Sequence, residues 1–161
     1  MRKLVFAAVA LSVALGIVGA TQAAAKQQIA FTFSNIGFSG MTGDCPEGVI
    51  TFDIATPQGE PLGSGFSCVK SVAGCTPFEV PCHQRLTAVL SLTLSGRTYL
   101  VSASLFEVIV DDDPFTVVQR VHGHLIDGKG HLKGGGTVAF TPEGVQSTIV
   151  YVLRLGAGDE E

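Results

Sequence analysis

The chain has 161 residues, four cysteines, 46% hydrophobic residues and 15% charged ones, a length that suits one domain. A charged fraction so far below the usual quarter excludes a disordered chain or a charged-tail protein. Ten Lys and Arg against 14 Asp and Glu give a net charge of −4, which argues against a phosphate-tracking nucleic-acid binder.

Residues 1–25 read as a cleaved secretory signal peptide. Arg2 and Lys3 form a basic start, Leu4 to Val18 is an apolar run, and Thr21-Gln22-Ala23-Ala24-Ala25 offers cleavage after Ala23 or Ala25. The run is shorter than the roughly 20 residues that span a bilayer. The expectation is an exported protein, periplasmic or extracellular, with residues 26–161 as a single all-β domain ending in a short acidic tail. No second long apolar stretch follows, so no membrane span is expected after cleavage.

Beyond the leader no segment keeps a 3.6-residue apolar period. Runs rich in β-formers alternate with Gly, Pro and Asp punctuation, and they predict eight strands. These lie near Gln28–Ile36, Val49–Ala55, Leu62–Cys68, Arg85–Leu94, Thr98–Ile109, Thr116–Ile126, His131–Phe140 and Gln146–Arg154. Ser95-Gly96, Asp111-Asp112-Asp113-Pro114, Asp127-Gly128-Lys129-Gly130 and Thr141-Pro142-Glu143-Gly144 supply the turns. The short later connections predict an antiparallel meander.

Cys45, Cys68, Cys75 and Cys82 fall among the early strands. An even count in an exported chain reads as two disulfides, with three connectivities open. No C-x2-C pair is present, so a zinc site lacks its usual signature.

Several strands are apolar on both faces. In the fourth, Leu86, Ala88, Leu90, Leu92 and Leu94 share one face, while Val89 lies on the other. In the fifth, Tyr99, Val101, Ala103, Leu105 and Glu107 oppose Leu100, Phe106 and Val108. A sheet with one face in water has no need of this. The pattern predicts an eight-stranded antiparallel β-barrel with an apolar lumen, its outside partly covered by another copy in a homo-oligomer. A two-sheet β-sandwich is the alternative. Gly134-Gly135-Gly136 within the seventh strand reads as a bulge or barrel corner, or else as a close approach of backbone to a ligand.

The segments Thr51-Phe52-Asp53-Ile54 and Gly63-Ser64-Gly65-Phe66-Ser67-Cys68-Val69 are followed by Cys82 before the long fourth strand. Asp113-Pro114-Phe115-Thr116-Val117 then leads into the glycine-rich stretch from Val121 to Val138. This order resembles the allene oxide cyclase-like and dirigent-like barrels of exported bacterial proteins. Where those carry Gly-Gly-Thr-Gly-x-Tyr, this chain reads His122-Gly123-His124-Leu125-Ile126-Asp127-Gly128. The resemblance implies an apolar pocket that orients a small hydrophobic molecule, and it implies the pairing Cys68–Cys82 with Cys45–Cys75.

No hydrolase elbow, dinucleotide fingerprint, phosphate loop or H-E-x-x-H is present. Candidate chemistry rests on isolated polar residues, with no cofactor and no metal expected. Glu107, on an otherwise apolar face, and Tyr151 are the candidate catalytic residues, since a carboxyl held away from water suits proton transfer. Tyr99, Arg120, His122 and His124 are the candidate ligand contacts, although the strand face shared by the last three reads first as a solvated outer surface. Asp111–Asp113 read as a hydrated turn rather than a calcium site. The favoured function is an exported binding or structural module for a small hydrophobic ligand. The alternative is a cofactor-free cyclase, isomerase or stereocontrol protein.

Overall fold

Two-residue alternation dictates extended chain from end to end, and the structure, a computed structural model, carries it through the described residues 27–75, 80–112 and 114–156. Nine strands form among them: β1 (Gln28–Phe38), β2 (Gly48–Ala55), β3 (Pro61–Gly74), β4 (Cys82–Leu94), β5 (Arg97–Asp112), β6 (Phe115–Leu125), β7 (Gly130–Thr141), β8 (Gly144–Ser147) and β9 (Val150–Leu155). All pairings are antiparallel. Neighbours run in order from β1 to β7; β7 then pairs β9, and β9 pairs β1. This closes an eight-stranded barrel, and β8 extends the partner edge of β7. The proposed leader and the acidic tail lie outside the described residues, as does Asp113 of the Asp-rich turn.

Turn chemistry sets the register. Ser95 and Gly96 both have positive φ, 49° and 85°, as a two-residue hairpin twisted to match its strands requires. Leu94 therefore faces Arg97, and the ladder runs without a slip to Cys82 opposite Ile109. In β1, Asn35 and Ile36 together oppose Phe52, and this bulge has Asn35 at φ 48°. The extra residue shifts the alternation. Phe31 and Phe33 point inward before it, Ile36 after it, while Asn35 turns outward and donates to Asp53 Oδ2 at 2.6 Å.

The strand expected over Gln146–Arg154 is two strands. Thr148 interrupts it, placing both its N–H and its hydroxyl against the backbone of Thr137 on β7. A side chain there does part of the work of the ladder.

The two ends of the barrel differ. At one end Leu92, Val101, Leu132 and Leu153, all fully buried, fill the lumen together with Ile54, Leu94 and Leu155. At the other end the lumen is hollow. Apolar side chains also stand on the outer surface, among them Phe66, Phe106 and Val118.

The disulfides are Cys45–Cys68 and Cys75–Cys82, not the pairing implied by the family resemblance. The reason is the length of β3, which runs on past Cys68 to Gly74. Gly74 pairs with Gln84, which brings Cys75 to Cys82, whereas Cys68 pairs with Val89, roughly 20 Å further along β4 than Cys82. Cys68 instead meets Cys45 from the loop between β1 and β2. Two disulfides fit an oxidising, extracytoplasmic environment.

Candidate functional site

The hollow end is a cavity of about 230 Å³ whose wall is mostly apolar. Register places its polar groups. Gln84 on β4 faces Glu107 on β5, and Glu107 faces Gln119 on β6, so the three form one row across adjacent strands. Gln84 Nε2 donates to Glu107 Oε2 at 2.6 Å, and Gln119 Nε2 donates to Glu107 Oε1. Tyr151 on β9 completes the chain by donating from its hydroxyl to Gln119 Oε1 at 3.0 Å. All three of these hydrogen bonds run toward the carboxylate.

Between Gln119 and Tyr151 lies β7, and its glycines make the connection possible. Gly134 pairs with Tyr151 and Gly136 with Gln119. A Cβ on Gly134 would stand 2.6 Å from Tyr151 Cδ1, and one on Gly136 would stand 2.7 Å from Ile149 Cα. Both positions face the lumen, and bare backbone there lets the tyrosine ring lie flat across β7. Gly135 faces out, and a Cβ there would meet Gln119 O at 3.2 Å.

Aromatic rings form the opposite side of the tyrosine's surroundings. Tyr151 stacks on Phe33 with centroids 4.2 Å apart, and Phe33 stacks on Phe52 at 3.8 Å. Phe31 is a second ring stacked on Tyr151, at 5.5 Å. Phe115 and Phe140, paired across β6 and β7, stand at the rim with centroids 5.6 Å apart. Tyr151 is 3% exposed. Burial, and secondarily the negative charge of Glu107, push its phenol well above the ordinary tyrosine range, so it stays protonated. Ser67, also buried, brings one more hydroxyl to the wall.

The structure thus brings Glu107 and Tyr151 together, linked through Gln119. The other expected contacts are elsewhere. Arg120, His122 and His124 are exposed on the outer face of β6, because alternation turns Gln119, Val121 and Leu125 inward. None of the three lines the cavity. Tyr99 is inside the barrel but buried in the packed end, away from the cavity. Asp53 faces outward, bonded to Asn35. Gln84, Gln119 and Phe33 were not among the expected site residues. For Gln84 a signal existed, since equal steps back from Leu94 and forward from Arg97 pair it with Glu107.

Chemically, the cavity offers flat apolar surface and a set of hydrogen-bond acceptors. Glu107 has lone pairs beyond the two its amides use, and Gln84 keeps its side-chain carbonyl. Comparison with known proteins gives no match to any family model, curated protein or solved structure.

Proposed function

We propose that the barrel binds a small, mainly apolar molecule in the hollow end of its lumen. One observation carries this reading: a 230 Å³ cavity, walled by apolar and aromatic side chains, that converges on a single hydrogen-bonded row of polar groups. Concave apolar pockets with few, fixed polar groups are the usual form of small-molecule sites. A core built only for stability would close such a space, because unfilled volume forfeits dispersion contacts. Exported binding modules need no further machinery.

The experiment is native mass spectrometry of the protein purified from its exported form, combined with titration by a fluorescent apolar probe. A retained small molecule, or probe binding abolished by Leu105→Trp, is the expected result. Leu105 lines the cavity without belonging to the polar row. Absence of any bound molecule, together with probe binding that L105W leaves unchanged, overturns the reading.

The row from Tyr151 to Gln84 also supports a second reading, a cofactor-free isomerase or cyclase. A carboxylate oriented by two amides inside an apolar cavity is placed to accept a proton from a bound molecule. The motif order resembling allene oxide cyclase-like and dirigent-like barrels favours the same chemistry. Turnover that disappears in Glu107→Gln while binding persists distinguishes catalysis from binding alone.

A further inference from the structure

We propose that the lumen selects a protonated amine: a small apolar or aromatic skeleton carrying one cationic nitrogen. The inference rests on the lumen-binding reading and names its ligand class.

Charge is the first argument. Among the described residues Glu107 is the one charged side chain that lines the cavity, and no basic side chain reaches it. Arg120, the nearest base along β6 to its partner Gln119, points outward, and Arg85 on β4 lies over the outward Phe106 ring at 5.0 Å. Glu107 is half-buried and has no counter-charge within the cavity, so part of its hydration is lost and neutral amide donors replace only some of it. A ligand cation supplies the rest.

Hydrogen-bonding polarity is the second. Gln119 is used at both ends, accepting from Tyr151 and donating to Glu107. Gln84 spends an N–H on Glu107. In the capacity left over, acceptors outnumber donors: carboxylate lone pairs, the Gln84 carbonyl and the Tyr151 oxygen stand against the second amide N–H of each glutamine and the Ser67 hydroxyl. An ammonium group has three donors and no acceptor, which matches this set. A carboxylic acid ligand, ionised at neutral pH, meets like charge and acceptors without partners.

Aromatic faces are the third. Phe33, Phe52 and Tyr151 form a continuous stack beside the row, and Phe115 and Phe140 flank the rim. Ring faces attract organic cations, and the attraction grows where water is excluded. Carboxylate and aromatic rings together make an ammonium site on the wall of an apolar pocket.

The test uses four probes of one skeleton on the full mature protein by calorimetry: 2-phenylethylamine, 2-phenylethanol, 3-phenylpropanoate and ethylbenzene. The amine is expected to bind about tenfold or more tighter than the alcohol, as a charge-assisted hydrogen bond with cation–π contact implies. The propanoate is expected to bind most weakly. In Glu107→Gln the amine falls to the affinity of the alcohol, which itself changes by less than about threefold. Equal binding of amine and alcohol to the wild type overturns the inference while leaving the lumen-binding reading intact, as does an amine preference that survives E107Q. Failure of all four probes, ethylbenzene included, counts against both.

Discussion

The Tyr151 hydroxyl donates to the side-chain carbonyl of Gln119 across the backbone of β7, at 3.0 Å. This contact joins strands that are not neighbours, and it ties the aromatic wall to the carboxylate row. Replacing Tyr151 by Phe leaves the Gln119 carbonyl without its partner in a half-buried setting, which costs about 1–2 kcal/mol in urea unfolding at pH 8.

The same tyrosine makes stability depend on alkaline pH. Its folded pKa lies above the unfolded value of 10.0, so folding favours the neutral form. The contribution is complete below about pH 10 and is lost as pH rises further, because the unfolded chain then gives up its proton first. The stability gap between wild type and Y151F is expected to narrow between pH 10 and 11.5. In a Tyr99→Phe background, absorbance at 295 nm follows Tyr151 alone, and adding E107Q is expected to lower its midpoint by removing the nearby negative charge.

The three consecutive glycines of β7 are not equivalent. Gly134→Ala and Gly136→Ala place a methyl against Tyr151 and against the Ile149 backbone, so each is expected to destabilise by roughly 1–3 kcal/mol. Gly135→Ala, on the outer face, is expected to stay within about 1 kcal/mol of wild type. Thermal unfolding of the three variants checks the order.

The packed end carries much of the buried core. Leu92→Ala removes a fully buried side chain and is expected to cost about 2–5 kcal/mol. Phe66→Ala, on the outer surface at 44% exposure, is expected to change stability by about 0.5 kcal/mol or less in the monomer.

The Cys45–Cys68 bridge holds the loop between β1 and β2 against β3, aided by Lys70, which donates to the carbonyl of Asp44. The bridged residues are separated by 23 positions, so replacing both by Ala is expected to cost on the order of 3 kcal/mol. Peptide mapping under non-reducing conditions separates this pairing from the alternatives.

Much of the barrel was legible in the sequence because alternation and turn chemistry are local. Ser95-Gly96 and Pro142-Glu143-Gly144 mark their hairpins, and seven of the expected strands correspond one to one with strands observed. What was not legible depends on contacts distant in sequence. Both faces of β4 and β5 are apolar, so nothing local said which face turns inward. The pairing of Cys75 with Cys82 required β3 to extend through Val69–Gly74, a stretch whose Lys and Ser weaken the strand signal. Gln119 entered the site through register across two hairpins. The break at Thr148 arose because a hydroxyl there substitutes for backbone, something alternation does not encode.

The division of the lumen into a filled end and a hollow end separates two duties that most small domains must perform with the same side chains. Leu92, Val101, Leu132 and Leu153 keep the barrel closed from one side. Ile36, Ile50, Leu86 and Leu105 border open space on one side instead. The residues around Glu107 can therefore change in size and polarity while the filled end keeps the barrel closed.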